Sequence, residues 1–533
     1  MSDGLPTVSG LVRARAADES TGLVFEGRSW TWAQHTAEAA ARAAWYSGLR
    51  PADGPPHVGV LLENVPEYSF WLAAAALGRF VLVGLNSTRH GESLASDVRS
   101  TACHLVLTDR PELFDGLDLG GAQVLDPHEI AYAPADLPAE QADAGDLYLL
   151  IFTSGTTGAP KAVRCSQGKI ALMGLGLVAR VELTAEDIAY GSMPLFHSNA
   201  VVTAWTPCVA TGATLALKRR FSASAFIGDC RAVGATYANY VGTPLSYVMA
   251  QPARPDDPDN PLVRVFGNEG APADLTRFAD RFACRVIDGF GSTEGGLSIT
   301  KTPETPPGAL GVGVGDIKVV DEDGNEKPTA RLDAQGRLLN ADEAVGELVN
   351  CDGLMFFEGY WQAEEDTAQR SRNGWYWSGD MGYRDDNGFL WFAGRSLDRL
   401  RVGGENFPAA PVARLLTSHP DVVEAVVFAV PDPTAGDQVM AAVVPAPGFD
   451  AASFLAWVAA QPDASPQWVP RYLRVTPDVP RTATGKVVVR QLATLRWDGD
   501  DVWFRDGDEV RLMTEADRSA LAAAFEASGR ILV

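Results

Sequence analysis

The sequence lacks the features that mark nucleic-acid-binding, membrane-spanning and disulfide-bonded proteins. Its 44 lysine and arginine residues face 68 aspartate and glutamate residues, a formal net charge of −24, whereas nucleic acid and anionic membranes attract basic surfaces. The six cysteines are scattered, with no C-x-x-C pair and no metal-ligand spacing, which predicts reduced thiols. No basic segment leads into an apolar run as in a signal peptide. We expect a soluble, cytoplasmic protein that does not act on nucleic acid.

Long hydrophobic runs are also missing. The most apolar stretch, residues 70–85, is interrupted by Gly78-Arg79 and is too short to cross a bilayer. It predicts a buried helix followed by a strand. Helical and strand-like patterns alternate up to about residue 145, which predicts layered parallel sheets with helices. At 533 residues the chain exceeds one hydrophobic core, so at least two domains are expected.

A loop rich in hydroxyl groups and glycine follows an apolar run at residues 147–150 that predicts a buried strand. Residues 151–161 read Ile-Phe-Thr-Ser-Gly-Thr-Thr-Gly-Ala-Pro-Lys. Inward-pointing N–H groups, hydroxyls and a lysine suit a polyphosphate. The common phosphate loop differs, because it has Gly directly before Lys and a hydroxyl directly after. From composition alone, a polar surface turn explains the loop equally well.

Three later segments each predict a strand that ends in a polar turn containing glycine, at residues 235–244, 263–272 and 285–296. In an open parallel sheet, ligands bind at such strand ends. None of these turns completes the G-x-G-x-x-G pattern of dinucleotide sites. Downstream, residues 385–388 (Asp-Asp-Asn-Gly) predict a hairpin turn between two aromatic strands. The character of the chain changes after Arg395, where strands at 425–430 and 440–444 and a helix at 451–460 predict a second α/β domain.

Taken in order, five of these stretches resemble the adenylate-forming superfamily of acyl-CoA synthetases, firefly luciferases and peptide-synthetase adenylation domains. The resemblance runs from about residue 25 to 490. It is carried by Thr153-Ser-Gly-Thr-Thr-Gly-Ala-Pro-Lys161, Gly289-Phe-Gly-Ser-Thr-Glu294, Trp377-Ser-Gly-Asp380, Gly394-Arg395 and Arg481-Thr-Ala-Thr-Gly-Lys486. Residues 403–406 (Gly-Gly-Glu-Asn) and the tail look most like fatty-acyl-CoA synthetases, including the fatty-acid transport-protein branch.

The resemblance implies a fold and two half-reactions. The fold would have a large N-terminal domain (residues 1–394) of layered parallel sheets with helices. A hinge (395–398) would lead to a small, mobile C-terminal α+β lid (399–533). A carboxylate would attack the α-phosphorus of ATP to give acyl-AMP and pyrophosphate, and the thiol of coenzyme A would then displace AMP. Because two anions meet in the first step, the site must neutralise charge and hold an in-line geometry.

Four residues take catalytic roles by this resemblance. Lys486 would bridge the carboxylate and the α-phosphate, and Thr293 would contact the α-phosphate. Glu294 would be the Mg²⁺ ligand, since that cation prefers hard oxygen ligands. His197 would gate the acyl pocket, although a lone histidine is more often structural. Only seven residues of the chain are lysine, and two fall in these motifs, which suggests that a compact ammonium is needed there.

The other implied contacts are with cofactors. The pyrophosphate cradle would comprise Thr153, Ser154, Gly155, Thr156, Thr157, Gly158 and Lys161. The adenine pocket and one wall of the acyl tunnel would comprise Gly270, Ala271, Pro272, Asp288, Gly289 and Phe290. Asp380 would accept hydrogen bonds from the ribose hydroxyls, and Arg395 would contact ribose or phosphate. The pantetheine arm of coenzyme A would lie against Gly403, Gly404 and Glu405.

We therefore expect a fatty-acid–CoA ligase (AMP-forming) that uses ATP, Mg²⁺ and coenzyme A on a medium- to long-chain fatty acid or a similarly apolar acid. An acyl-AMP ligase that loads a carrier protein is the nearest alternative. A non-catalytic fatty-acid binding or uptake protein on the same fold is a third. The family's hinge residue, usually Asp or Lys, aligns with Leu397, which leaves the switching of the lid open. The identity of the acid, a peripheral membrane contact and a homodimer also stay open.

Overall fold

The computed structural model divides the chain into two compact units. Unit 1 comprises Met1–Lys301 and Gly353–Tyr376, and unit 2 comprises Thr302–Asp352 and Trp377–Val533. The structure describes residues 4–153, 160–241, 244–268, 270, 272–332, 338–395, 399–402, 405–433, 437–461, 466–481, 487–499, 501–507 and 509–528. Residues 396–398 of the predicted hinge, including Leu397, lie outside the described residues. The hinge and the domain boundaries drawn around it stay a prediction.

Unit 1 alternates strands and helices. Its strands are β1 (Thr21–Phe25), β2 (Arg28–Thr31), β3 (His57–Leu61), β4 (Val81–Gly84), β5 (Leu105–Thr108), β6 (Gln123–Leu125), β7 (Leu147–Thr153), β8 (Lys161–Ser166), β9 (Ile188–Gly191), β10 (Thr214–Leu217), β11 (Tyr237–Val241), β12 (Arg264–Asn268), β13 (Arg285–Gly291) and β14 (Ser298–Thr300). Its α-helices before β14 are α1 (Val8–Arg13), α2 (Trp32–Ser47), α3 (Pro66–Gly78), α4 (Gly91–Ser100), α5 (Gln167–Val181), α6 (Ser198–Ala200), α7 (Thr206–Thr211), α8 (Phe226–Val233), α9 (Pro244–Met249) and α10 (Pro272–Phe282).

These strands form two sheets, both mainly parallel. One has the order β6-β5-β3-β4-β7-β8, and within unit 1 the other runs β14-β13-β12-β11-β9-β10-β1-β2. Antiparallel pairing is confined to the edge strands β2, β8 and β14. Every residue of β3, β4 and β5 is buried, as expected for parallel strands covered on both faces. The predicted layered parallel sheets are confirmed.

The break at Gly78-Arg79 separates a helix from a strand, as predicted. Helix α3 begins with Pro66, whose fixed φ suits the first helical turn. It ends where Arg79 adopts a left-handed conformation with φ of 53°, and β4 starts two residues later. No helix among the described residues is long and apolar enough to span a bilayer.

Unit 2 contains the remaining strands, except that the first residue of β18, Tyr376, belongs to unit 1. They are β15 (Val312–Gly313), β16 (Ile317–Val320), β17 (Gly346–Asn350), β18 (Tyr376–Arg384), β19 (Leu390–Arg395), β20 (Arg399–Val402), β21 (Glu405–Pro408), β22 (Val422–Pro431), β23 (Asp437–Pro445), β24 (Tyr472–Val475), β25 (Val502–Asp506) and β26 (Glu509–Leu512). The last α-helices of the chain are α11 (Ala341–Ala344), α12 (Glu364–Arg370, in unit 1), α13 (Ala409–Thr417), α14 (Ala451–Ala459), α15 (Val489–Leu495) and α16 (Glu515–Ser528).

The C-terminal part of unit 2 is built on one five-stranded sheet, in the order β22-β23-β24-β25-β26. Val412 of α13 and Phe454 of α14 are buried in the core on one face. Leu492 of α15 and Phe525 of α16 are buried in the core on the other. Helices thus cover both faces of a mixed sheet, and the predicted smaller C-terminal α/β domain is confirmed.

A buried histidine in unit 1 makes stability depend on pH. The Nε2 atom of His35, on α2, lies 2.8 Å from the Ser69 hydroxyl oxygen, which also accepts a hydrogen bond from the Trp205 indole at 2.8 Å. Burial, together with the nearby positive charge of Arg42, lowers the pKa of His35 from 6.5 to about 3. The imidazole is therefore neutral in the folded protein near neutral pH.

We expect stability to fall as the pH drops below 6.5, because the unfolded chain then binds a proton that folded His35 does not. Integrated from pH 8 to pH 5, this one group removes about 2 kcal/mol of unfolding free energy. Urea denaturation at pH 8, 6.5 and 5 measures the loss. His35→Gln should reduce the dependence by about this amount, with the lowered pKa values of the buried His57 and the partly buried His104 accounting for part of the remainder, whereas His90→Gln, at an exposed position, should retain all of it. Equal slopes in the two variants would contradict the assignment to His35.

Candidate active site

The carboxyl ends of three neighbouring parallel strands form one edge of the candidate site. Strand β12 lies between β11 and β13, and Asn268 is in register with Val241 on one side and Gly289 on the other. The Asn268 amide donates a hydrogen bond to the Gly289 carbonyl at 2.8 Å. A Cβ at Gly267 would lie 2.4 Å from the Tyr240 carbonyl oxygen, so only glycine fits. The ends of the three strands that precede the predicted glycine-containing turns thus lie at one edge.

Asp288 joins two of these strand ends. Its Oδ2 atom accepts hydrogen bonds from the Tyr240 hydroxyl at 2.7 Å and from the Gly270 N–H at 3.1 Å. The Lys301 ammonium lies 3.4 Å from Oδ1. Burial raises the pKa of Asp288, against the opposing effect of these three partners. The structure therefore brings Gly270 and Asp288 into contact, and Asp288 connects Gly270, which follows β12, to β13.

Helix α6 brings a hydroxyl to the predicted α-phosphate contact. The Ser198 and Thr293 hydroxyl oxygens are 2.7 Å apart. His197 is the N-cap of this helix, and its ring centroid is 4.4 Å from that of Phe196. The helix continues into a π-helical turn, Val201–Trp205, a local irregularity frequent at functional sites. Ser198, which follows His197 in the chain, thus connects His197 to Thr293. The sequence alone predicts no role for this serine.

Glu294 is held by its main chain and by its side chain. Its Oε1 atom accepts a hydrogen bond from the Tyr360 hydroxyl at 3.0 Å. Its carbonyl oxygen accepts one from the Lys169 ammonium at 3.0 Å, and Lys169 is buried. The following glycines fit closely, since a Cβ at Gly296 would lie 2.2 Å from the Tyr376 ring. The main chain and the carboxylate of Glu294 are therefore both held in place by hydrogen bonds.

Lys161 pairs with an acid far away in sequence. It is the first residue of β8 and lies opposite Thr153, the last residue of β7. The Lys161 ammonium forms an ion pair with Asp366 on α12 and lies 5.6 Å from the centroid of the Tyr360 ring. Ser154, Gly155, Thr156, Thr157 and Gly158, which the strands β7 and β8 flank, lie outside the described residues.

In unit 2, Asp380 and Arg395 are cross-strand neighbours. They are in register on β18 and β19, the two aromatic strands joined by the predicted hairpin turn. The Ser378 hydroxyl accepts a hydrogen bond from the Asp380 N–H at 3.0 Å and donates one to the Leu348 carbonyl at 2.7 Å. The two residues predicted to contact the ribose are thus opposite one another in the backbone register of the hairpin.

For several predicted site residues, the structure gives the backbone position alone or no position. Glu405 begins β21, opposite Val402, and Pro272 begins α10. Ala271, Gly403, Gly404 and Lys486 lie outside the described residues. The roles predicted for these residues stay predictions, as do those of the residues placed above.

The acidic groups of the site fit a cation that is shared with phosphate. Within the described ranges, no group of three His, Cys, Asp or Glu side chains could hold a metal ion by itself. Mg²⁺ seldom uses such a cage, because it keeps several waters and binds one or two carboxylates plus phosphate oxygens. With Oε1 of Glu294 bonded to Tyr360, the other carboxylate oxygen suits a single contact of that kind.

Comparison with known proteins agrees with the motifs. The family model for AMP-binding enzymes matches residues 12–361, and the model for their C-terminal domain matches residues 412–486. The steroid-22-oyl-CoA synthetase of Rhodococcus jostii is 46% identical over 98% of this chain and 98% of its own length. The medium/long-chain-fatty-acid–CoA ligase FadD17 of Mycobacterium tuberculosis is 48% identical over 92% of this chain and 96% of its own.

Solved structures show the same fold at lower identity. ATP-bound MatB from Rhodopseudomonas palustris superposes with a TM-score of 0.80 at 22% identity, covering 92% of this chain and 99% of that one. The o-succinylbenzoate–CoA synthetase of Bacillus subtilis, in complex with its acyl-adenylate, gives 0.75 at 23% identity, covering 91% and 98%. With both domain models matched in order and relatives close to half identical along the whole chain, the protein belongs to the AMP-binding enzyme family, as its motifs predict.

Proposed function

We propose that this protein is an ATP-dependent acid–thiol ligase that activates a medium- to long-chain fatty acid or a similarly apolar acid as acyl-AMP and transfers it to coenzyme A. The observation that carries this proposal is the end-to-end identity with two curated CoA ligases, at 46% and 48%. One of them is named for a steroid acid and the other for fatty acids, so the pocket is expected to take an extended apolar acid.

The arrangement of unit 1 supports the first half-reaction. Lys161, at the end of the hydroxyl-rich loop, would bind the pyrophosphate, and Thr293, supported by Ser198, would bind the α-phosphate. Glu294 would hold Mg²⁺, which supplies positive charge to the phosphate oxygens when bound. In unit 2, Asp380 and Arg395 are in register on neighbouring strands, and by the family resemblance they would bind the ribose. All six cysteines are unpaired, and five are buried, in keeping with a reducing, cytoplasmic setting.

The test is acid-dependent release of pyrophosphate from ATP and Mg²⁺, measured with and without coenzyme A. The panel runs from acetate to palmitate and includes aryl and sterol-type acids. We expect release with apolar acids and an acyl-CoA product once the thiol is added. Release that stops at acyl-AMP would support a carrier-protein acceptor instead. No release with any acid would contradict the ligase and favour the binding protein.

The ion pair of Lys161 predicts a change in nucleotide affinity. Asp366 competes with pyrophosphate for the Lys161 ammonium, so Asp366→Asn should lower the KM for MgATP. The side chains of Lys161 and Asp366 are 13% and 27% exposed, and an ion pair that is partly open to water contributes about 1 kcal/mol. We expect KM to fall roughly two- to fivefold.

The matched control is Glu365→Gln, which removes the same charge from an exposed position on the same helix. Steady-state kinetics with ATP varied at saturating acid and coenzyme A distinguish the two variants. An equal decrease in both would assign the effect to net charge. An unchanged or raised KM in Asp366→Asn would contradict the proposed competition.

A further inference from the structure

Tyr360 contacts both of the charged side chains that the proposed function assigns to the nucleotide. Its hydroxyl donates a hydrogen bond to Glu294 Oε1 at 3.0 Å. The face of its ring lies 5.6 Å from the Lys161 ammonium, within the range of a cation–π interaction. Tyr360 is only 6% exposed and lies outside every motif that carries the family resemblance. One residue thus connects two groups that are 133 positions apart in the chain, from 161 to 294.

The main chain of Tyr360 is fixed from both sides. It forms an antiparallel bridge with Val163 of β8, and the next residue, Trp361, donates its N–H to the Ala162 carbonyl at 2.8 Å. The Tyr360 N–H donates to the Thr367 hydroxyl at 2.9 Å. Because the bridge lies two residues from Lys161, the ring is held next to the strand that carries the lysine.

The Tyr360 hydroxyl donates its hydrogen to Glu294, because a carboxylate can only accept. The tyrosine side chain has a second hydrogen-bond partner in Arg370. The arginine side chain has no hydrogen-bond acceptor, so Arg370 donates to the tyrosine oxygen. The hydroxyl hydrogen of Tyr360 is then available to Glu294. A chain from Arg370 through Tyr360 to Glu294 therefore sets the direction of the hydrogen bond.

We infer that Tyr360 is a positioning residue for nucleotide binding, which orients the Glu294 carboxylate through its hydroxyl and supports Lys161 through its ring. The inference rests on the proposed function, in which these two groups bind MgATP. With Oε1 held by the tyrosine, the Glu294 carboxylate is oriented, and its other oxygen would contact a cation bound to phosphate. Without the hydroxyl, the carboxylate would have to be ordered during binding, at a cost in affinity.

The test separates the two contacts. Tyr360→Phe keeps the ring beside Lys161 and removes only the hydroxyl. We expect the Mg²⁺ concentration for half-maximal ATP binding, measured by titration calorimetry without acid or coenzyme A, to rise about tenfold, as for the loss of a hydrogen bond to a charged group. Binding of ATP in EDTA should not change. Tyr148→Phe is the matched control, because it removes a buried hydroxyl that donates to the Leu72 carbonyl at 2.9 Å and should leave the Mg²⁺ dependence unaltered.

Glu294→Gln, alone and combined with Tyr360→Phe, completes the comparison. If the hydroxyl acts through the carboxylate, removing it adds nothing once Glu294 is replaced. A wild-type Mg²⁺ dependence in Tyr360→Phe, next to a weakened one in Glu294→Gln, would overturn the positioning role and leave the proposed function standing. A wild-type dependence in Glu294→Gln would overturn both the inference and the assignment of Glu294 to the cation.

Discussion

Replacing Lys486 by alanine is expected to abolish acyl-AMP formation while sparing the transfer of a preformed acyl-AMP to coenzyme A. In the first half-reaction a carboxylate approaches a phosphate, and an ammonium between them offsets the repulsion of the two anions. Loss of one such electrostatic group lowers a rate by about 10²–10³-fold. In the second half-reaction the acyl group is already activated and the attacking group is a thiol. The lysine is then not required between two anions.

Pyrophosphate release measures the first step, and thioester formation from synthetic acyl-AMP measures the second. The matched control is Lys318→Ala in the same unit, because Lys318 forms only long, partly exposed ion pairs with Asp316 and Glu326, at 3.8 and 3.7 Å. That variant should retain both rates. Equal losses in the two half-reactions of Lys486→Ala would contradict a role specific to adenylation.

Replacing Glu67 by alanine is expected to destabilise the protein by about 3 kcal/mol, because the buried Arg42 guanidinium loses its buried partner and retains its pair with Glu38, whose side chain is 43% exposed. The Glu67 carboxylate accepts hydrogen bonds from Arg42 Nε at 2.8 Å and Nη2 at 2.6 Å, and from the Trp71 indole at 2.8 Å. Arg42 and Glu67 are 5% and 6% exposed. The Arg42 guanidinium also lies over the rings of Phe70 and Tyr132, so it cannot reach water without disturbing them.

The midpoint of urea denaturation, followed by tryptophan fluorescence, measures this effect. The control is Glu140→Ala, which breaks an ion pair of similar length with Arg79, at 2.8 Å, but at a carboxylate that is 81% exposed. That change should cost less than about 1 kcal/mol. The double variant Arg42→Met with Glu67→Leu should lose less than Glu67→Ala, because it removes both charges together. A small, equal shift in the variants Glu67→Ala and Glu140→Ala would contradict the buried ion pair.

Local pattern was sufficient to predict much of the fold and the strand ends of the site. The apolar run at residues 70–85 has one interruption, and the structure turns there, at Arg79. The three glycine-containing turns followed from strand patterns, and the strand ends that precede them lie together because parallel neighbours place their carboxyl ends at one edge. Asp380 and Arg395 are neighbours because a tight turn joins their two strands and an irregularity between Met381 and Gly382 shifts the register by one residue.

The partners of the charged residues could not be predicted in the same way. Asp366 is 205 residues from Lys161, and Tyr360 is 66 residues from Glu294. Such pairs depend on the path that the chain takes after it leaves the sheet. The local pattern of apolar and polar residues does not predict this path. Lys169 gave a weak signal, since it is one of few lysines outside the motifs. Ser198 gave none, because serine is common at the start of helices and its presence there needs no functional explanation.

The path of the chain through residues 353–376 also affects which recombinants between this protein and its relatives can be active. This segment belongs to unit 1, although the residues before and after it belong to unit 2. The N-terminal family match ends at residue 361, so recombination there would join Tyr360 from one parent to Asp366 and Arg370 from another. Hybrids joined after Tyr376 would inherit all three together with Lys161 and Glu294. Natural crossovers that preserve activity should therefore be rare within this segment and more frequent beyond it.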